Sequence, residues 1–290
     1  MAAMLATREL NLTLDLCLRV GELLLSSGAG AADVTATMQA VAWQYGVRYP
    51  ETDVTFTSLS MSHQQDPEEP PVVLIRQVKQ RDIDYEDLTL VDHLVRDVLR
   101  GEVALTEARS RLARIVSSGH VLPRWAATLG WGVMAAGVGL QLGGGPVVVV
   151  LAFLAAVAID LLQAAMSRRR IPFFYRQVAG GGVATLIAVL AASTWIDLDP
   201  SLVVTANIVM LLAGIGFMGA LQDALSGFYV TAGARLTEAL LTTAGIIAGV
   251  SGGLQVADLL GVQVGRLEPG ASDLKEVSVM AAGAAIGAAA

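Results

Sequence analysis

Residues 146–166 read PVVVVLAFLAAVAIDLLQAAM, a run of 21 residues with a single charged side chain, Asp160. A helix needs roughly 20 mostly apolar residues to cross the hydrocarbon core of a bilayer. Since backbone polar groups in hydrocarbon must be paired without water, a run of this kind predicts a membrane-spanning helix. The fold class of the whole chain is predicted from this run and from others like it.

Four further apolar stretches of comparable length occur in the same part of the chain. They are residues 125–141, 177–196, 201–222 and 236–254. A globular core helix would not repeat such lengths five times, so the pattern predicts five transmembrane helices. We expect this membrane domain to occupy residues 121–262. The remainder, 263–290, is a predicted tail whose apolar segment, 277–290, is too short to span a bilayer.

The charged residues are concentrated in the first part of the chain. Only 16% of all residues are charged, against about 25% in ordinary soluble domains. Residues 1–124 nevertheless hold 29 of the 45 charged side chains. The net charge is −7 and this part has no basic patch, so nucleic acid is not an expected partner. The sequence therefore predicts a separate domain at residues 1–120.

Helical and strand patterns alternate in this first domain. Its apolar spacing predicts helices at 9–27, 32–45, 85–100 and 104–117, strands at 54–61 and 71–78, and a candidate third strand at 46–50. This order predicts a compact α+β domain. The only cysteine, Cys17, lies in a leucine-rich helix and is expected in the core, which excludes a disulfide framework or a cysteine-based zinc site within this chain. No cleavable signal peptide is expected in the first 20 residues.

Arginines predict the orientation of the spans, because cytoplasmic loops collect positive charge. The arginine groups precede the first span (Arg109, Arg111, Arg114, Arg124), separate the second from the third (Arg168, Arg169, Arg170, Arg176) and separate the fourth from the fifth (Arg235). The loop at 142–145 is uncharged, and the loop between the third and fourth spans carries only Asp197 and Asp199. We expect a cytoplasmic amino terminus and domain, and a carboxyl terminus outside.

No enzyme motif stands in the context that its chemistry needs. The sequence has no P-loop and no H-E-x-x-H pair, and it has no G-x-S-x-G or G-x-G-x-x-G motif placed between a strand and a helix. A Ser/His/Asp arrangement is conceivable around His63 and Asp66, but serines alternating along a strand are commonly its polar face. We therefore expect no catalytic residues, no metal site and no cofactor, and we expect His93 on a solvated helix face.

Polar side chains inside the predicted spans are the candidate pathway residues, because they are costly in hydrocarbon. Asp160 and Gln163 lie within one turn of the second span, and Thr205 and Asn207 lie in the fourth. Alternatives remain open: Asp160 lies near enough to the span end to pair with Arg168, and Asn207 is equally suited to bond a neighbouring helix.

Glycines are dense in the last two spans. Gly245, Gly249 and Gly253 form a double G-x-x-x-G, and Gly214 and Gly216 precede Ala220 in a similar small-residue pattern. Close helix packing is their ordinary role. The alternative is a broken helix at 213–216 that lines a cavity. Asp223, Arg235 and Glu238 surround the following turn, where they predict a cytoplasmic gate or a salt-bridged cap.

Two stretches of the sequence resemble the threonine/serine exporter family. The first is LCLRVGELLLSSGAGAADVTATMQAVAWQYG at 16–46 with VTFTSLSMS at 54–62, and the second is LLAGIGFMGALQDALSGFYVTAGARLTEALLTTAGIIAGV at 211–250. In the second, Gly214, Asp223, Gly233, Arg235, Glu238 and Ala239 occupy the positions of the family's motif. Ala213 stands where the family usually has proline, which argues against a proline-broken helix there.

The resemblance implies a proton-driven secondary exporter of the bacterial inner membrane. It implies threonine and serine as substrates, or dicarboxylates such as succinate. In this family a cytosolic domain and five spans are followed by a second five-span module, fused or separate, so the chain resembles the large subunit of the two-component type. Expected partners are the small polar substrate, the bilayer, and a second small membrane subunit or further copies of this chain.

Two other functions remain as alternatives. One is a membrane-anchored hydrolase of small peptides, although the sequence shows no triad for it. The other is a sensor or scaffold whose spans oligomerise through Gly245, Gly249 and Gly253.

Overall fold

The computed structural model describes residues 2–66, 68–78, 85–117, 123–193, 200–212 and 214–259. The predicted tail at 263–290 and Ala213 lie outside the described residues. The chain divides into two compact units. The first combines Met1–Val121 with Gly214–Glu238, and the second combines Leu122–Ala213 with Ala239–Ala290.

The described residues form ten helices and three strands. In chain order they are α1 (Ala2–Ser26), α2 (Ala31–Gln44), β1 (Glu51–Val54), β2 (Ser58–His63), β3 (Val72–Gln77), α3 (Tyr85–Leu99), α4 (Leu105–Ser117), α5 (Arg124–Gln141), α6 (Pro146–Arg168), α7 (Phe173–Ala192), α8 (Pro200–Leu211), α9 (Gly214–Leu225) and α10 (Tyr229–Leu259). The helix-rich pattern and the small sheet agree with the predicted α+β composition of the first domain.

The sheet of the first unit is antiparallel with the strand order β1-β2-β3. The prediction of one strand over 54–61 was wrong, because the chain turns between Val54 and Leu59, which are paired partners in the hairpin. The N–H of Thr55 donates to the carbonyl of Ser58 at 2.8 Å to close the turn. This turn explains the imperfect alternation in the sequence. The third strand occurs at Glu51–Val54 rather than at 46–50.

One face of the sheet packs against α1 and the helices that follow it. Leu59 and Met61 are fully buried on this face, together with Leu14 and Cys17 of α1 and Val91 of α3. The removal of this apolar surface from water is the main force that holds the first unit together. The core position predicted for Cys17 is confirmed.

The second unit contains α5–α8 and the last part of α10, and small side chains dominate its helix contacts. Ala135, Ala152, Ala156 and Ala206 form one fully buried cluster. Small residues of this kind let helices approach closely where no water drives association. Within the described residues, α6, α7 and α10 are long and apolar enough to cross a membrane, and Pro200–Val209 is a shorter apolar helix.

The fourth predicted span is not one helix. The structure ends α8 at Leu211 and begins α9 at Gly214, so the prediction of a continuous span over 201–222 was wrong. Gly214 and Gly216 each lower helix stability by about 1 kcal/mol relative to alanine, which favours an interruption at this place. Among the described residues the interruption lies at Leu212, whereas Gly214 and Gly216 lie within α9, so the alternative of a break over 213–216 stays a prediction. Helix α9 belongs to the first unit.

Candidate functional site

The carboxylate of Asp160 contacts a threonine of the neighbouring helix. Thr128 of α5 lies with its Oγ1 2.7 Å from Oδ2 of Asp160 and 3.1 Å from the carbonyl oxygen of Arg124. Thr128 is buried, and Asp160 is partly buried. The sequence left two roles open for Asp160, an ion pair with Arg168 or a place in the substrate or proton pathway. Neither of them predicted a hydroxyl partner.

This hydroxyl suits both charge states of the carboxyl group. A threonine hydroxyl has one proton to donate and two lone pairs that accept. When Asp160 is ionised, Thr128 donates to it. When Asp160 is protonated, it donates to Thr128, whose own proton then turns to the Arg124 carbonyl. Either state is hydrogen-bonded without movement of a helix.

Gln163 lies one turn after Asp160 on α6 and approaches α7. Its Nε2 is 3.2 Å from the position that a Cβ would occupy on Gly180, so the absence of a side chain there makes room for the amide. That Nε2 is buried and has no hydrogen-bond partner among the described residues. A buried donor without a partner costs about 1–3 kcal/mol, and groups left in this state commonly have a functional reason.

Gln177 of α7 is a further buried amide that the sequence did not single out. The residue is 4% exposed, and its Oε1 finds no partner within the described chain. The predicted third span began at this residue, so the glutamine was interpreted as a boundary. The signal that could have identified it is a polar residue followed three positions later by the glycine run Gly180–Gly182.

Asn207 and Thr205 lie on opposite faces of α8. Asn207 is fully buried, and its Nδ2 donates to the carbonyl of Val203 at 2.8 Å, while its Oδ1 has no partner in the described residues. Thr205 is exposed. Two positions on a helix differ by about 200° in direction, which is why the structure does not bring these two side chains together.

The glycines of α10 pack against α7 of the same chain. A Cβ on Gly245 would lie 3.0 Å from the carbonyl oxygen of Phe174, and one on Gly253 would lie 2.7 Å from the Cβ of Thr185. A Cβ on Gly249 would collide with the carbonyl oxygen of Val178. All of these neighbours belong to α7 of the same chain. Gly214, in contrast, has no described neighbour within 4 Å of such a Cβ.

Asp223 of α9 and Arg235 of α10 form a buried ion pair in the first unit. Asp223 is fully buried and Arg235 is 4% exposed, with Arg235 Nε 3.0 Å from Asp223 Oδ2. The pair holds the turn between α1 and α2. Asp223 Oδ1 accepts from the backbone N–H of Ala31 at 2.8 Å, and Arg235 Nη2 donates to the carbonyl of Ala29 at 2.6 Å.

Backbone groups of the turn at 28–31 hydrogen-bond to both charged side chains. Gly28 has a φ of +98°, a value that strains other residues, and its carbonyl accepts a second bond from Arg235 Nη1 at 3.3 Å. The first N–H groups of a helix have no partner within the helix, and they carry a partial positive charge. Asp223 supplies the acceptor at the start of α2. Gly219 of α9 lies directly against the Arg235 guanidinium, where a Cβ would collide.

The sequence placed Glu238 with this pair. In the structure Glu238 is exposed on α10, three residues after Arg235. Gln222 extends the contact on the other side, since its Nε2 donates to Oδ2 of Asp33 at 3.2 Å. The buried charges are thus Asp223 and Arg235, with more exposed polar groups beside them.

The first unit does not assemble the Ser/His/Asp arrangement within its described residues. Successive side chains of a strand point to opposite faces, so Ser62 and His63 diverge. Ser62 Oγ donates to Glu51 Oε2 at 3.3 Å, and Asp66 Oδ1 accepts from the N–H of Glu68 at 3.1 Å in a turn. Burial raises the pKa of Cys17 to about 12, which removes it as a nucleophile near neutral pH.

No group of three or more His, Cys, Asp or Glu side chains that could hold a metal occurs in the described part of the chain. The buried polar groups of the second unit are instead carboxyl, amide and hydroxyl groups on helices. Ionisable and polar groups at such positions mark substrate or ion pathways in membrane proteins. The fold and these groups define the class: a helical membrane protein of the transport type.

Comparisons with known proteins give the family. The model of the family described as "Putative threonine/serine exporter" matches residues 15–257, and the chain belongs to this family. It is 39% identical over 251 residues to "Probable threonine/serine exporter" of Mycobacterium tuberculosis (strain ATCC 25618 / H37Rv), which covers 87% of this chain and 47% of that protein. It is 33% identical over 269 residues to "Threonine/serine exporter" of Corynebacterium glutamicum. That alignment covers 89% of this chain and 54% of that protein.

The resemblance drawn from the two sequence stretches is thereby confirmed. The chain spans about half the length of these curated relatives. The relatives are named as exporters, a class of transporters rather than enzymes. No solved structure matches the chain significantly.

Proposed function

We propose that this chain is a module of a bacterial inner-membrane exporter of threonine and serine, driven by proton entry. The observation that carries the proposal is the family match over residues 15–257, together with the names of its relatives. The buried polar groups of the second unit supply the chemistry for it.

Five spans make up the proposed membrane domain at 121–262. They are α5, α6, α7, α8 and the later part of α10, all of which have residues in the second unit. Helix α8 has 12 residues in the structure, fewer than a full span needs. The arginine clusters before α5 and between α6 and α7 would place these helix ends, and the domain at 1–120, in the cytoplasm. The carboxyl-terminal end of α10 and the tail at 263–290 would then lie outside.

In this orientation the polar groups gather near the cytoplasmic ends of their helices. Thr128 lies four residues after the start of α5, and Gln177 lies four residues after the start of α7, which is about 6 Å in each case. Gln163 lies five residues before the end of α6, or about 8 Å. A substrate that leaves the cytoplasm would meet these groups first, as an exporter requires.

Asp160 is the proposed proton carrier. A carboxylate in a membrane span costs about 2.5–3.5 kcal/mol on insertion scales, and protonation removes that charge. The Thr128 hydroxyl supports both the ionised and the protonated carboxyl group, as described above. Asn207 is proposed to line the pathway further from the cytoplasmic side, with Thr205 on the other face of α8.

The Asp223–Arg235 pair is the proposed cytoplasmic cap or gate, with Glu238 at its edge. It fixes the α9–α10 turn to the α1–α2 turn within the first unit, so that the cytosolic domain and the start of α10 would move as one body. Helix α10 continues from this point into the second unit without interruption. A continuous helix is a direct means by which a movement of the cap would reach the spans.

A second module is proposed to complete the transporter. The chain matches about half the length of each curated relative, and those relatives are named as threonine/serine exporters. The second half of the transport path would come from a further membrane module or from a second copy of this chain.

Efflux from preloaded cells tests the proposal. Cells that express the chain, with and without a second membrane module, are loaded with labelled threonine, serine or succinate and then diluted. We expect threonine and serine to leave faster than from control cells, and an uncoupler to abolish the difference. Selective efflux of succinate would assign the chain to dicarboxylates, and the absence of any efflux despite membrane insertion would refute the exporter.

A further inference from the structure

We propose that Gln163 of α6 and Gln177 of α7, which lie beside the glycine pair Gly180–Gly181 of α7, form a site for a zwitterionic α-amino acid. The two amides would bind its carboxylate and ammonium groups. The inference rests on the proposed exporter function and extends it to named atoms. It also separates amino acids from dicarboxylates as ligands of this one site.

Both amides are held inside the helix packing of the second unit. Gln177 is 96% buried, since only 4% of it is exposed, and Gln163 Nε2 is likewise removed from solvent. Neither Gln177 Oε1 nor Gln163 Nε2 bonds to any described residue. Since most buried polar groups in proteins are hydrogen-bonded, two such atoms on adjacent helices point to a position where a ligand supplies the partners.

The glycine pair brings the two glutamines to the same part of α7. The Nε2 of Gln163 lies 3.2 Å from where a Cβ of Gly180 would stand, so this amide rests against the backbone of α7. Gln177 precedes Gly180 by three residues, and positions three apart on a helix are surface neighbours, about 5–6 Å apart. A Cβ on Gly181 would lie 2.8 Å from the carbonyl oxygen of Ile246, so α10 closes the site from the other side.

The two partnerless atoms within this described site differ in chemistry. Gln163 Nε2 donates hydrogen bonds, and a carboxylate can accept them. Gln177 Oε1 is an acceptor, which an ammonium group donates to. The head group of an amino acid carries both groups on one carbon and has no net charge, so it matches a pair of neutral amides without burying an uncompensated charge.

A dicarboxylate does not fit this pair. One carboxylate of succinate would accept from Gln163, but the other would face Gln177 Oε1, and only rotation of that amide would turn its Nε2 donors towards it. Sites that hydrogen-bond a substrate group discriminate strongly against an analogue that lacks it, because the buried polar group is then left unpaired. The pair therefore favours amino acids over dicarboxylates at this position.

Binding measurements on the full chain in lipid nanodiscs test the site. Labelled threonine is bound to the wild type and to Gln163→Met and Gln177→Met, which keep side-chain length but remove the amide. Gln177→Glu retains the acceptor and serves as a second variant. Thr185→Val is the matched control, because Thr185 is also buried on α7 but its hydroxyl already donates to the Gly181 carbonyl at 2.9 Å.

We expect each methionine variant to weaken threonine binding by about tenfold or more, since hydrogen bonds to charged groups are the stronger ones. Thr185→Val should bind within about threefold of the wild type. Gln177→Glu keeps the acceptor but adds a buried charge, so it should bind threonine more tightly than Gln177→Met does but not as tightly as the wild type. N-acetylthreonine, which lacks the ammonium group, should compete poorly with threonine on the wild type. In Gln177→Met the affinities for threonine and for N-acetylthreonine should become nearly equal. A merely structural role of Gln177 would lower both affinities and leave their ratio unchanged.

Two results would overturn the inference, and efflux distinguishes them. If the wild type exports and binds threonine but both methionine variants bind it equally well, the site is wrong while the exporter function stands. If the wild type neither exports nor binds threonine or serine, the proposed function and the site are both wrong.

Discussion

The carboxylate of Asp223 accepts a hydrogen bond of 2.8 Å from the backbone N–H of Ala31, a residue 192 positions earlier in the chain. A side chain of α9 thus supplies the helix cap that α2 lacks locally, since its N-cap residue is Gly30. The same carboxylate is paired with Arg235. The first unit therefore depends on a segment that follows four helices of the second unit in sequence.

Removal of the Asp223 carboxylate should destabilise the first unit. Asp223→Ala leaves Arg235 buried without its counter-charge, and the loss of one partner of a buried pair costs about 3–5 kcal/mol. We expect lower accumulation and a lower unfolding midpoint of the purified chain. The control is Asp33→Asn, an exposed carboxylate in the first turn of the same helix α2. Equal stability of Asp223→Ala and wild type would contradict a structural role for the pair.

The two charges should also depend on each other. Arg235→Ala is expected to impair efflux or assembly, because it leaves Asp223 buried and frees the carbonyls of Gly28 and Ala29. The double variant Asp223→Leu with Arg235→Met removes both charges and should be less damaging than the sum of the single variants. A double-mutant cycle on the unfolding midpoint measures this coupling. Strictly additive effects would show that the two side chains act separately.

Proton coupling should require Asp160. Asp160→Asn keeps the shape of the side chain but cannot release a proton, so it should abolish proton-driven efflux and leave expression intact. Thr128→Val should reduce efflux severalfold, whereas Thr128→Ser, which retains the hydroxyl, should preserve it. Efflux is measured from preloaded cells at matched protein levels. Wild-type efflux by Asp160→Asn would remove this residue from the mechanism.

The contact between α7 and α10 should tolerate no side chain at Gly249. Gly249→Ala would force the helices apart at the Val178 carbonyl, and we expect a loss of stability of the order of 1–3 kcal/mol, as for overpacked cores. Gly252→Ala lies on the same helix with no described atom within 4 Å of the new Cβ, so it is the control. Thermal unfolding in detergent compares the two. A dimer that dissociates in Gly249→Ala while the monomer stays folded would instead support the scaffold alternative.

Cys17 should react only when the first unit opens. Its pKa is raised from 9.0 to about 12 because burial disfavours the thiolate. We expect maleimide labelling at pH 7 to be slow for the folded chain and rapid after denaturation. The raised pKa also makes the free energy of unfolding depend on pH. The contribution of the buried Cys17 thiol to that free energy is complete below pH 9 and is lost between pH 9 and 12, because the thiol ionises at lower pH in the unfolded chain than in the folded one. Rapid labelling of the folded chain would contradict the buried position.

Much of the fold could be predicted from composition and spacing. The apolar runs predicted helices of the second unit, since hydrocarbon leaves a backbone few other ways to pair its polar groups. The small sheet was predicted with errors at Val54–Leu59, where alternation alone cannot distinguish a bulge from a hairpin turn. An interruption near Gly214 was only one of two alternatives, because glycine weakens a helix without necessarily ending it.

Local patterns determined this protein's family, its membrane character and its list of polar groups in apolar helices, since these depend on residue types and their order. Only the tertiary structure decided which polar groups meet: Thr128 with Asp160, Gln163 with the surface of α7 at Gly180, and Asp223 with Ala31. It also separated Asn207 from Thr205 and buried Gln177 within the helix packing. The physical reason is that a polar group has no fixed partner in the sequence, and its partner depends on which helix faces are forced together by packing.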